Sequence, residues 1–214
     1  SLCREIVFDE KAFDQLVLDH EKKLLIRSLV ECQEQADVVK KGFNDIITGK
    51  GGGCIFLLHG PPGTGKTLTA EAVSEHLHTP LYSVSVGELG TTPEQLEKEL
   101  QKILEIAGIW KASILMDEAD IFLERRTKSN IVRNAMVGIF LRLLEYHNGV
   151  LFLTTNRIKA IDEAFNSRIS IALHYSDLDV IARGAVWKNL LQHIKDTEDG
   201  ECVADDIDVA TLAK

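Results

Sequence analysis

Short apolar runs alternate with longer amphipathic stretches through the middle of the chain. The runs are Cys54–Leu58, Leu81–Val86, Ile114–Met116, Val150–Leu153 and Ile169–Leu173. Between them, residues 66–78, 93–107 and 129–146 carry apolar positions at helical spacing. An uninterrupted apolar run reads as a strand covered on both faces, and such strands alternating with helices predict a parallel sheet between two helical layers. Thr92-Pro93 followed by Glu94 and Gln95 is a helix start. Residues 1–45 read as a helical preface in which Leu24, Leu25, Leu29 and Val30 recur at helical spacing and Asp19 is placed to cap the helix. A glycine-rich turn, Gly49–Gly53, separates the preface from the α/β region, residues 46–176. From Asp177 the pattern is helical again. Leu178, Ile181, Ala185, Val186 and Leu190 form a stripe, and a second helix is expected near Ala204-Asp205. Residues 177–214 read as the beginning of a small helical lid that continues past Lys214.

The chemistry sits at the ends of the apolar runs. Gly60-Pro61-Pro62-Gly63-Thr64-Gly65-Lys66-Thr67 fits the pattern G-x-x-x-x-G-K-[ST]. Its glycines let the backbone turn tightly, so that successive N–H groups converge on phosphate oxygens. Lys66 supplies a positive charge to the β- and γ-phosphates, and the Thr67 hydroxyl is a ligand for Mg²⁺. Leu68 opens the following helix, whose N-terminus adds a favourable dipole. The flanking order, strand then loop then helix, is the context this loop requires. About fifty residues further on, Ser113–Met116 runs into Asp117 and Glu118. Asp117 is the expected metal-side carboxylate, and Glu118 the base that orients and deprotonates an attacking water. Asp117–Asp120 also spells the tetrapeptide of a helicase family, but no other helicase signature accompanies it. A third apolar run, Val150–Leu153, ends in Thr154-Thr155-Asn156-Arg157, and an Asn there can position the water and sense the γ-phosphate. Arg168, in Asp162-Glu163-Ala164-Phe165-Asn166-Ser167-Arg168, is the expected guanidinium inserted into a neighbour's site; Arg157, Arg125 and Arg126 are secondary candidates.

Composition narrows the setting. The net charge of -9 makes phosphate-backbone binding an unfavourable default, so nucleic acid is not the expected partner. The four cysteines, Cys3, Cys32, Cys54 and Cys202, show no metal-site spacing and read as free thiols of an intracellular, cytoplasmic chain. No apolar run approaches the ~18 residues of a membrane span. No Asn-Lys-x-Asp segment reads guanine, since Asn156-Arg157 is followed by Ile158-Lys159.

With GPPGTGKT, ILMDEAD, LFLTTNR and DEAFNSR in this order and spacing, the chain resembles the AAA+ ATPases over nearly its whole length. Residues 117–168 look most like a fungal AAA group of poorly defined role. The resemblance implies an α/β three-layer P-loop fold, with a five-stranded parallel sheet in the order 5-1-4-3-2 and a helical lid. It implies ATP and ADP as ligands with Mg²⁺, and a homo-oligomeric ring, usually of six subunits. It also implies a protein or protein complex as the object of remodelling. Lys66 and Thr67 then belong to Walker A, Asp117 and Glu118 to Walker B, Asn156 is sensor 1, Arg168 is the arginine finger, and Asp37–Gly49 lies near the adenine. Three features depart from that pattern. Val86–Pro93, where many relatives carry an aromatic pore loop, has no aromatic. The usual paired arginines are reduced to Arg168. The lid arginine called sensor 2 falls past Lys214, so binding with weak hydrolysis is one expectation. A nucleotide-gated assembly module with little turnover is the alternative to an ATPase that remodels protein.

Overall fold

The computed structural model describes residues 7–40, 52–126, 130–157 and 161–196. In chain order the elements are α1 (Ala12–Gln15), α2 (His20–Lys40), β1 (Cys54–His59), α3 (Lys66–His76), β2 (Leu81–Ser85), α4 (Pro93–Trp110), β3 (Ser113–Asp117), α5 (Asp120–Leu123), α6 (Ile131–Leu144), β4 (Val150–Thr155), β5 (Ile171–His174) and α7 (Val180–Asp196). Two 3-10 turns, Val86–Leu89 and Glu163–Phe165, lie between them. The strands form one parallel sheet in the order β2-β3-β4-β1-β5, which is the expected order read from the other edge.

The three inner strands, β1, β3 and β4, are apolar through most of their length because both faces are covered, whereas the edge strands β2 and β5 expose alternate residues. Ile55, Leu57, Ile114, Met116, Leu151 and Leu153 belong to one core with α4, α5 and α6. Cys54, Phe56, Leu58, Leu115 and Phe152 belong to the opposite core with α1, α2 and α3. The alternation along β1 and β4 is the two-residue period of a strand, and it hides the polarity signal that a half-exposed sheet would show. Phe56 and Phe152, paired in register on neighbouring strands, stack with centroids 5.1 Å apart.

Helix starts follow their local chemistry. The Thr92 hydroxyl accepts the Gln95 N–H (3.3 Å) and caps α4, whose first residue is Pro93. The Asn130 side chain accepts the Arg133 N–H (3.0 Å) and caps α6. In the preface the expected stripe holds in part: Val30 is buried and Leu29 packs partly buried on the same core, while Ile26 is buried in place of Leu24 and Leu25. Ile26 and Val30 are buried at 1% exposure, whereas Leu24 and Leu25 are 49% and 46% exposed. The helix packs against the outer face of the sheet through the buried pair, and apolar density alone could not choose among adjacent leucines and isoleucine. The glycine-rich turn up to Gly51, the helix expected near Ala204-Asp205, and Cys3 and Cys202 lie outside the described residues. Cys32 and Cys54 are free thiols. No described helix is long and apolar enough to cross a membrane.

Candidate functional site

The loop between β1 and α3 is built at the carboxyl end of the sheet, where open parallel sheets bind ligands. Gly60 and Gly65 have φ of 151° and 91°, and Gly63 has φ of 73°, all in the region that favours glycine. A Cβ at Gly60 would lie 2.1 Å from the Tyr175 carbonyl oxygen, so the loop's first residue is wedged against the end of β5. A Cβ at Gly63 or Gly65 would meet nothing within 4 Å. These two glycines therefore answer no packing demand of the protein and leave space along the loop. Thr64 ties the loop to itself by donating to the Pro61 carbonyl at 2.9 Å. Tyr175 donates its hydroxyl to Thr69 Oγ1 at 2.8 Å, and Thr69 donates to the Gly65 carbonyl at 2.9 Å, which fixes the first turn of α3. Burial of that phenol pushes its pKa up to about 12, with the Thr69 bond partly offsetting it.

Lys66 is buried at 7% exposure and donates Nζ to the carbonyls of Gly60 (2.9 Å) and Pro61 (2.6 Å). Desolvation lowers its pKa, and the carboxylates of Asp117, Asp120 and Glu118 pull in the other direction. Lys66 is thus a buried cation held by two loop carbonyls with three carboxylates nearby. His59, the last residue of β1, is also buried, and its Nδ1 has no partner among the described residues. Burial lowers its pKa first, and the neighbouring His174, Lys22 and Lys66 lower it further.

Three adjacent strand tips meet beside this loop. The Thr67 hydroxyl lies 3.3 and 3.4 Å from the two Asp117 oxygens. That spacing is long for a hydroxyl–carboxylate bond. A hydroxyl and a carboxylate facing each other in this way are the hard oxygen donors Mg²⁺ uses when phosphate and water complete its shell. Among the described residues no cluster of three or more His, Cys, Asp or Glu side chains could hold a metal alone. Glu118 has φ of 55°, a left-handed conformation that costs a non-glycine residue about 1–2 kcal/mol. Its N–H donates to Thr154 Oγ1 (2.9 Å), and the Thr154 hydroxyl in turn donates to Asp117 Oδ1. Thr155 similarly donates to Asp120 Oδ1 and accepts the Arg157 N–H at 2.9 Å. Asn156 follows directly, exposed, at the tip of β4.

A cavity of about 560 Å³ adjoins the loop. Leu16, Val17 and Leu18 of the preface, Leu68 of α3, and Val186 and Leu190 of α7 line it. Asn189 Nδ2 donates to the Gln15 carbonyl (2.7 Å) and ties α7 to the preface. The preface thus reaches the cavity through residues 9–18; of Asp37–Gly49, expected near the adenine, Asp37–Lys40 end α2 and the rest lie outside the described residues.

Arg168 is committed within its own chain. It donates Nε to the Leu141 carbonyl (3.0 Å) and Nη1 to the Ala164 carbonyl (2.9 Å), and Nη2 lies 3.5 Å from Glu145. Arg126 is paired with buried Asp162, and Arg125 with Glu163. The Arg157 side chain is 79% exposed, 4.0 Å from Asp120. The residues missed from sequence are Thr154, Tyr175 and the Leu16–Leu18 wall. A signal existed for Thr154: two hydroxyls end a run that is otherwise entirely apolar.

Fold and loop together define a P-loop nucleotide-binding domain. Residues 56–176, more than half of the chain, match the family described as "ATPase family associated with various cellular activities (AAA)". The chain belongs to that AAA ATPase family. It is 32% identical over 126 residues to human ATPase family AAA domain-containing protein 3B, covering 56% of this chain and 19% of the relative. It is 31% identical over 178 residues to ATPase family gene 2 protein of Schizosaccharomyces pombe, covering 79% and 21%. It is 31% identical over 166 residues to Protein CdcH of Halobacterium salinarum, covering 73% and 21%. The chain spans about a fifth of the length of these relatives.

Proposed function

We propose that this domain binds ATP and hydrolyses it to ADP and phosphate, and that full-length assemblies use the cycle to rearrange a protein or protein complex. The observation that carries the reading is the Thr67 hydroxyl facing the Asp117 carboxylate at 3.3 Å, at the lip of a loop that buries Lys66. Residues Gly60–Thr67 hold the triphosphate through backbone N–H groups and the Lys66 ammonium. Base and ribose occupy the cavity lined by Leu16–Leu18, Leu68 and α7. Thr67 and Asp117 hold Mg²⁺, which when bound neutralises charge on the β- and γ-phosphates. Glu118 accepts a proton from the attacking water as its oxygen bonds to the γ-phosphorus and the bridging oxygen leaves with ADP. Asn156 orients that water.

In a homo-oligomeric ring, Arg168 of one subunit completes its neighbour's site, and its bonds to Leu141, Ala164 and Glu145 open on assembly. Threading of polypeptide is not part of the proposal. The segment after β2 folds as the 3-10 turn Val86–Leu89 with Leu89 fully buried, and it presents no aromatic side chain. That feature favours, as a second reading, a module whose nucleotide governs assembly. Glu118→Gln separates the two. An ATPase keeps its affinity for Mg·ATP and loses turnover by ~10²-fold or more, the scale expected on removing a general base. Wild-type protein that binds neither Mg·ATP nor Mg·ADP at millimolar concentration would refute both.

A further inference from the structure

Beyond the loop and the two acids, the residue most closely engaged with the site is Thr154. It is the fifth residue of β4, 1% exposed, at the end of a strand otherwise committed to the two apolar cores. In the sheet, β4 lies between β1 and β3, so its tip stands beside both the glycine loop and the turn that carries Asp117 and Glu118. Both oxygens of Thr154 address the turn that carries those acids. Its hydroxyl donates to Asp117 Oδ1 and accepts the Glu118 N–H at 2.9 Å, while its carbonyl accepts the Ala119 N–H at 3.0 Å.

This bonding answers two structural needs. Glu118 adopts φ of 55°, a conformation that persists in a non-glycine residue only where its surroundings over-determine it. The Thr154 hydroxyl and carbonyl hold the N–H groups of Glu118 and the next residue, fixing the peptide planes on both sides of that strained position. Asp117, in turn, has an aspartate's two rotatable bonds, and one oxygen accepting from Thr154 fixes how the other meets Thr67. The β3–β4 pairing runs only as far as Met116 opposite Leu153, so on the β4 side Asp117 and Glu118 lie past the ladder. Valine at position 154 would fill the same volume and satisfy neither oxygen nor N–H.

We propose that Thr154 is a positioning residue for the nucleotide-hydrolysis site: its single hydroxyl sets the orientation of the Asp117 carboxylate toward the metal and locks the Glu118 backbone so that its carboxylate faces the attacking water. The proposal rests on the assignment of Asp117 and Glu118 given above.

The test compares Thr154→Ser, Thr154→Val and Thr154→Ala in the whole chain by three readouts. These are affinity for a fluorescent ADP with EDTA, the Mg²⁺ concentration that converts that complex to its metal-bound form, and kcat and KM for Mg·ATP. Loss of a residue that orients a metal ligand typically costs ~10–100-fold in metal affinity or activity. Thr154→Val and Thr154→Ala should therefore weaken Mg²⁺ binding and lower kcat by about that factor, with KM and EDTA-state ADP affinity within ~3-fold of wild type. Thr154→Ser, which keeps the hydroxyl, should restore both. The proposal is overturned if Thr154→Val leaves Mg²⁺ affinity and kcat unchanged. It is equally overturned if Thr154→Ser is as impaired as Thr154→Ala, or if every variant loses metal-free ADP binding in proportion to its loss of thermal stability. A wild-type chain that binds no nucleotide refutes the functional assignment itself. A wild-type chain that binds Mg·ADP with little turnover still tests Thr154 through Mg²⁺ affinity.

Discussion

Gly60→Ala and Gly63→Ala place the same methyl group at two positions three residues apart and should fail in opposite ways. At Gly60 the new Cβ lies 2.1 Å from the Tyr175 carbonyl oxygen and 2.9 Å from Tyr175 Cβ. Ordinary contact begins at 3.4 Å, so the Tyr175 backbone must retreat by 3.4 − 2.1 = 1.3 Å. It cannot do so freely, because its N–H donates to the His59 carbonyl at 2.8 Å in the β1–β5 ladder and its hydroxyl is bonded to Thr69. Backbone strain at φ of 151° adds roughly 1–3 kcal/mol for a residue with a side chain. Strain, overlap and a loosened buried hydrogen bond together should cost about 3–5 kcal/mol. For a chain of this size that lowers the melting temperature by ~10 °C. At Gly63 the methyl meets nothing within 4 Å, so only the left-handed φ of 73° is penalised, by about 1 kcal/mol. Its effect should fall instead on nucleotide affinity, because the loop amides can no longer approach phosphate closely. Thermal unfolding and fluorescent-ADP titration of both variants read the two effects. Equal destabilisation by both substitutions, or a Gly60→Ala protein that melts within ~2 °C of wild type, would refute the wedge between loop and β5.

Two pH effects and one ion pair offer independent checks. His147 is buried, with Nε2 lacking a partner among the described residues, and burial depresses its pKa from 6.5 to about 4 despite the hydrogen bond it donates to the Val150 backbone. That bond only partly offsets burial, so the unfolded imidazole takes up a proton first and stability should fall by up to about 3 kcal/mol as pH drops from 6.5 toward 4. Urea midpoints should show that slope in wild type and a flatter one in His147→Leu; equal slopes would exclude it. Asp162 accepts from Arg126 Nε (2.8 Å), the Arg126 N–H and the Ala164 N–H, which hold its pKa near about 2 rather than 3.8. Its depressed value stabilises the fold above pH 4 by about 2 kcal/mol and that benefit disappears between pH 4 and about 2. Asp162→Asn should show the loss already at pH 7, and its stability difference from wild type should shrink on acidification; a constant difference would contradict the assignment.

Much of this molecule is legible in one dimension. The runs Cys54–Leu58, Ile114–Met116 and Val150–Leu153 are uniformly apolar, as strands covered on both faces are. The glycine loop declares itself because phosphate-binding backbone needs glycine, lysine and a hydroxyl at fixed spacing along one continuous segment. Asp117 and Glu118 are legible for the same local reason, at the end of an apolar run. The tertiary structure decided what depends on strands meeting side by side. That β4 lies between β1 and β3 is implied by the family resemblance and by no local pattern, but that this placement sets the Thr154 hydroxyl against Asp117 and Glu118 is seen only in the packed sheet. That α2 buries Ile26 instead of Leu25 is set by its partner surface. The same holds for the cavity wall at Leu16–Leu18, the wedge of Gly60 on Tyr175, and the internal bonds of Arg168. Local chemistry is carried by neighbours in the chain and can be read from it; positioning is carried by contacts between distant segments and exists only once they pack.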